Sequence, residues 1–161
     1  MNNYAIPTQN KSIPRLLVVD DDVSILRLIA EVLNQSFGDE ILIETASNVE
    51  DAIARIDLGN VEILLTDLDM PGATGLDLLK RSKSRKTCAQ VILLTGTTDS
   101  ISLLDALELG ANDYLVKPLD LEMLDQLVRE SMQRLARWKQ ALRETWAKKR
   151  TNGGTLLQAN S

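Results

Sequence analysis

The chain has 161 residues, 44% of them apolar but only 3% aromatic, with a formal net charge of −5. That length accommodates one ordinary domain with an aliphatic core, and the absence of histidine excludes Ser-His-Asp and Cys-His nucleophiles, zinc sites that need histidine, and a phosphohistidine of its own. The lone Cys88 leaves no internal disulfide, no apolar run is long enough to span a bilayer, and residues 1–10 hold no signal-peptide core, so a cytoplasmic protein is expected.

Residues 1–13 are polar, contain Pro7, and read as a disordered lead-in. Residues 15–19, a short β-branched apolar run, predict a buried strand. Leu26, Ile29, Leu33 and Phe37, spaced by three and four, predict an amphipathic helix over 23–37 that Gly38 ends. A strand follows over 41–45, and Ser47-Asn48-Val49-Glu50 reads as a capping box opening a helix to about Leu58. Residues 62–66 form a third strand, and Thr74 opens a short helix running into Lys80 and Arg81. The charge run from Lys80 to Lys86 reads as a solvated loop. Residues 90–94 form a fourth strand, Asp99 or Ser100 caps a helix that stops at Gly110, and residues 113–116 form a fifth strand. Asp120 opens a last, long helix.

Five strands alternating with five helices predict a doubly wound α/β domain over residues 14–128, its parallel sheet apolar on both faces. Ligands of such sheets sit beyond the carboxyl ends of the strands. The polar residues falling there are Asp20, Asp21 and Asp22 after the first strand, Asp67 after the third, Thr95 after the fourth and Lys117 after the fifth. Clustered carboxylates repel, by on the order of 4 kcal/mol for a pair roughly 4 Å apart at an effective dielectric of 20. An oxygen-only acidic cluster suits hard Mg²⁺. Lys117 adds a fixed positive charge and Thr95 a hydroxyl donor, and the set would neutralise and orient a phosphoryl group carried on one carboxylate. Asp22 is expected to cap the first helix rather than bind metal.

Leu17-Val18-Val19-Asp20-Asp21-Asp22, Leu65-Thr66-Asp67-Leu68-Asp69-Met70-Pro71-Gly72-Ala73-Thr74-Gly75, Leu94-Thr95-Gly96 and Tyr114-Leu115-Val116-Lys117-Pro118 together resemble the receiver domains of bacterial two-component response regulators. The resemblance implies a flavodoxin-like fold and a stand-alone signalling switch that is not an enzyme. Asp67 would be the phosphoacceptor. Asp20, Asp21, Asp67 and the backbone carbonyl of Asp69 would hold Mg²⁺. Thr95 and Lys117 would contact the phosphoryl group, with Thr95 and Tyr114 as the switch pair, although Tyr114 reads equally well as half-buried filler. Lys117-Pro118 would be a cis bond. The phosphoryl donor would be a sensor histidine kinase or a histidine phosphotransfer protein. Asp69 and Thr97 are expected to tune phosphoryl lifetime, and Gly96 leaves the side beyond Thr95 open. The runner-up is a haloacid-dehalogenase-type phosphohydrolase, from the Asp67-Leu68-Asp69 motif, although that motif should follow the first strand. A DNA-binding regulator lacks any helix-turn-helix pattern after residue 128, so no nucleic acid is expected.

Residues 129–150 carry eight Lys/Arg against two Asp/Glu, a charge of +6, whereas residues 1–128 carry −11. The last helix runs unbroken to about Lys148, with Leu121, Val128, Leu135 and Leu142 in one heptad column and Leu124, Ser131, Trp138 and Thr145 in another, widened by Met132 and Trp146. From about Arg134 this stripe is expected to need a partner: a second copy, giving a homodimer, another protein, or an anionic surface. Residues 151–161, with Gly153-Gly154, read as a disordered tail.

Overall fold

The computed structural model describes residues 12–86, 88–96 and 100–155, and only the backbone at 100, 101 and 151–155. Strands β1 (Arg15–Val19), β2 (Leu42–Ala46), β3 (Ile63–Asp67), β4 (Gln90–Thr95) and β5 (Asp113–Val116) alternate with helices α1 (Val23–Phe37), α2 (Val49–Asp57), α3 (Gly75–Arg85), α4 (Ser100–Glu108) and α5 (Leu121–Thr155). All strand pairs are parallel, in the order β2-β1-β3-β4-β5. This is the expected doubly wound flavodoxin-like fold. Its order reverses at β1, between β2 and β3, and the crevice of such a sheet opens at that point.

Alternation along the central strands divides the core into two layers. Leu16 and Val18, Ile63 and Leu65, Ile92 and Leu94 pack under α1 and α5. Leu17 and Val19, Leu64, Val91 and Leu93 pack under α2, α3 and α4. Glycine at position 38 supplies the positive φ (51°) that stops α1.

The structure corrects several expectations. Strands β2 and β3 each lie one residue later than predicted, and β2 is an edge strand, not apolar on both faces. Its Glu44 accepts from Arg55 (2.8 Å) and pairs with Arg15. The cap of α2 is Asn48, which accepts from the Asp51 amide at 2.8 Å, rather than Ser47. Helix α3 continues through Arg85, so most of the basic run is helical and tied down. Arg81 holds Asp57 in a two-pronged pair at 2.8 and 2.5 Å. Lys83 donates to the Ala89 carbonyl (2.6 Å) and to Asn112 Oδ1 (2.9 Å), and burial lowers its pKa from the ordinary lysine value.

Helix α5 starts at its expected cap, Asp120, whose carboxylate accepts from the Glu122 and Met123 amides, both at 3.0 Å. It ends later than predicted, because Gly153-Gly154 do not break it and the backbone stays helical to Thr155. Its packing also reaches further than Arg134. Leu135 is 2% exposed, Arg134 donates to Gln90 Oε1 (3.0 Å) and Lys139 pairs with Glu62 (2.7 Å). Gln90 and Glu62 lie at the starts of β4 and β3, so the helix is fastened to the lower edge of the sheet. Among the described residues, no helix is long and apolar enough to cross a membrane.

Candidate functional site

The opposite, carboxyl edge of the sheet gathers the acids. Asp20 follows β1 and is fully buried, Asp67 ends β3 and is 5% exposed, and Asp21 is exposed beside them. One carboxylate oxygen from each lies within 4.8 Å of the others. Asp22 stands apart as expected, capping α1 by accepting from the Ser24 (2.8 Å) and Ile25 (3.4 Å) amides. Its own amide donates to Asp20 Oδ1 at 2.8 Å and so orients that carboxylate.

Lys117 closes the cluster. From the end of β5, its Nζ lies 2.7 Å from Asp20 Oδ2 and 3.2 Å from Asp67 Oδ2. The peptide to Pro118 is cis, and the Lys117 amide donates to the Thr95 carbonyl (2.8 Å). Burial raises the Asp67 carboxyl above the ordinary aspartate value, with Asp20 adding to the rise. The Lys117 charge and the Asp69 amide, which donates to Oδ1 at 3.3 Å, oppose it. Burial works the other way on Lys117, but the hydrogen bond to Asp20 and the charges of both acids outweigh it and hold the ammonium above the usual lysine value.

The remaining predicted residues sit around this centre. Thr95 is fully buried at the end of β4. Gly96 has open space where a Cβ would stand. Asp69 is exposed in the loop after β3, and Tyr114 is 51% exposed on β5. Thr97 and Asp99 lie outside the described residues. Gly75 is a positioning residue that chain order alone did not single out. A Cβ there would stand 2.4 Å from the Asp67 carbonyl oxygen and 2.9 Å from Leu68 Cα, so any side chain would push the Asp67–Leu68 backbone away from α3. The Gly75 amide donates to the Leu68 carbonyl (2.9 Å), and Asp77 accepts from both the amide (3.1 Å) and the hydroxyl (3.2 Å) of Thr74.

Residues 16–129 match the response regulator receiver domain family. The chain belongs to that family. The receiver is 36% identical over 115 residues to chemotaxis protein CheY1 of Helicobacter pylori, covering 70% of this chain and 91% of that protein. It is 37% identical over 109 residues to a protein-glutamate methylesterase/protein-glutamine glutaminase of Trichodesmium erythraeum, covering 66% of this chain and 31% of the relative. It superposes on a CheY-like receiver domain protein from Methanospirillum hungatei with a TM-score of 0.72 at 25% identity, covering 78% of this chain and 98% of the other. The chain spans less than half the length of several curated relatives it matches. The phosphohydrolase alternative finds no support, since the Asp67-Leu68-Asp69 motif closes the third strand and the matches are to receivers.

Proposed function

We propose that this receiver is a phosphorylation switch of two-component signalling rather than an enzyme, with Asp67 as phosphoacceptor. The observation that carries the reading is the Lys117 ammonium between Asp20 and Asp67, with Asp21 alongside. In the transfer, an Asp67 carboxylate oxygen attacks the phosphorus of a phosphohistidine on a sensor histidine kinase or a histidine phosphotransfer protein. The N–P bond breaks as the O–P bond forms, and the imidazole leaves with the electron pair. Lys117 shifts its charge toward the new phosphoryl oxygens, and the Thr95 hydroxyl donates to another. Tyr114, exposed on β5 two residues before Val116, the register partner of Thr95, then turns inward and alters the surface offered to a downstream protein.

The all-oxygen donor set of Asp20, Asp21, Asp67 and the Asp69 carbonyl fits Mg²⁺. When bound, Mg²⁺ supplies charge neutralisation between the acids and the incoming phosphoryl group. Acetyl phosphate with Mg²⁺ should add one phosphoryl group to the chain by intact mass, and a chelator should prevent it. An unmodified chain in the presence of Mg²⁺ would overturn the reading.

Mg²⁺ should also raise the thermal midpoint by mass action, and Asp21→Ala should remove that rise. Protonated Asp67 is a poor ligand and its pKa is raised. On acidification the Mg²⁺-dependent rise should therefore fade at a higher pH than an ordinary aspartate would dictate, which a pH series of melting curves reads directly.

Asp69 and Thr97 are proposed to set the lifetime of the phosphorylated state. The reading is supported by the exposure of Asp69 two residues past Asp67, where its carboxylate would accept a hydrogen bond from an attacking water. Asp69→Asn should slow dephosphorylation several-fold while leaving phosphorylation intact. Identical decay curves for variant and parent would remove Asp69 from that role.

A further inference from the structure

Helix α5 leaves the domain with one face still apolar. As far as Lys139 that face is covered, with Leu124, Val128, Ser131 and Leu135 all buried. Residues 140–155 then project about 24 Å past the lower edge of the sheet. Helical periodicity places Trp138, Leu142 and Trp146 on the same stripe as the buried residues, yet they are 55, 48 and 45% exposed. These three side chains offer on the order of 300 Å², well short of the roughly 800 Å² per partner in a stable complex of separate molecules. A segment already tethered beside the stripe needs far less, because its effective concentration is in the millimolar range. The stripe also looks toward the side on which the domain sits. A flat bilayer would collide with the domain there, whereas a single extended segment fits the corner beneath the sheet.

The chain itself supplies such a segment. Strand β1 starts at the lower edge, so the residues before it arrive from below the sheet, where α5 projects. The foot of β1 and the last packed turn of α5 meet on one residue. The Glu62 amide donates to the Arg15 carbonyl at 3.0 Å, and Glu62 Oε1 lies 2.7 Å from Lys139 Nζ. The Pro14 carbonyl accepts from the Leu42 amide at 2.9 Å, and Ile13 before it is 57% exposed. Residues 1–11 lie outside the described residues. They carry one apolar island, Tyr4-Ala5-Ile6-Pro7, between polar Asn2-Asn3 and Thr8-Gln9-Asn10.

The island suits the stripe in spacing and in reach. Pro7 biases Ile6 toward extended backbone, in which Tyr4 and Ile6 share a face about 6.6 Å apart. Leu142 and Trp146, one helical turn apart, stand about 6 Å apart along the α5 axis. The seven residues from Ile6 to Ile13 can span up to about 24 Å. Leu142 is only about 4.5 Å past Lys139 along the helix, and Trp146 about 10 Å, so the tether reaches both with slack.

We propose that residues 4–7 of this chain strap the projecting stripe of α5, running antiparallel to the helix with Tyr4 beside Trp146 and Ile6 beside Leu142. The strap covers the stripe within one molecule and fastens the projecting helix to the foot of its own domain. Any other partner of the stripe must first displace it.

Trp138 and Trp146 are the two tryptophans of the chain, so tryptophan emission reports on the stripe alone. The full chain should emit to the blue of the variant Tyr4→Ser/Ile6→Ser and be quenched less by acrylamide. Both substitutions precede β1, so the receiver should stay folded, which circular dichroism checks. The parent emission should not change on dilution. In a Cys88→Ala background, Ile6→Cys should form an intramolecular disulfide with Leu142→Cys but not with Gln140→Cys, which helical periodicity places on the opposite face. Equal emission and quenching of parent and variant would overturn the proposal, as would equal crosslinking to both positions. An emission that shifts to the red on dilution would overturn it too, and would assign the stripe to a second copy of the chain.

Discussion

Asp67→Asn is expected to abolish phosphorylation completely while leaving a folded receiver. Intact-mass measurement after acetyl phosphate and Mg²⁺ should show one phosphoryl group on the parent and none on the variant. Loss of the acceptor can be told from loss of the fold, because the substitution should not destabilise the protein. Burial raises the Asp67 pKa, which means the fold disfavours its charged form at neutral pH and the neutral amide relieves that cost. Asp67→Asn should therefore melt at or above the parent temperature without Mg²⁺. Lys117 keeps its 2.7 Å contact with Asp20 to hold the remaining acid. Equal labelling of parent and variant would move the acceptor to another residue.

The second large effect is expected at Lys117. Lys117→Met keeps most of the aliphatic stem but leaves the fully buried Asp20 carboxylate held by the Asp22 amide, with Asp67 facing it. Removing one member of a buried pair costs on the order of 3 kcal/mol, equivalent to a fall of about 10 °C in thermal midpoint for a domain of this size. Mg²⁺ replaces the missing charge, so its addition should raise the variant's midpoint by more than it raises the parent's. A variant that melts like the parent without Mg²⁺ would show that Lys117 does not neutralise the acids.

What was legible in the sequence followed the strength of the local signal. Strands β1 and β5 and helix α1 have the predicted bounds, because a buried run or a helical apolar repeat ends there at a charge or a glycine. Strands β2 and β3 slipped by one residue, β2 because an edge strand carries polar Glu44 and Thr45, which blur its ends, and β3 because its apolar run lies between the polar residues Glu62 and Thr66-Asp67, which leave either frame open. The length of α3 was hidden because Arg81 and Lys83 look like loop charges until Asp57 and Asn112, distant in sequence, and the nearby Ala89 carbonyl come up to receive them. The acids and the lysine of the site were legible because the parallel topology sends every strand end to one edge. Gly75 was not, since its constraint is a close approach to the Asp67 carbonyl that exists only once α3 has folded back. A glycine after a threonine cap, with an aspartate two residues on, was the available hint.

The ties of Arg134 to Gln90 and Lys139 to Glu62 have a practical consequence for protein engineering. A recombinant fragment cut where the sequence stripe suggested, after Gln133, would discard Leu135 from the core and strip both ties from the lower edge of the sheet. The shortest fragment that retains the receiver's own packing ends after Lys139. A reporter fused beyond that residue would ride on the projecting helix, whereas one fused before it would occupy a place the domain fills with its own chain.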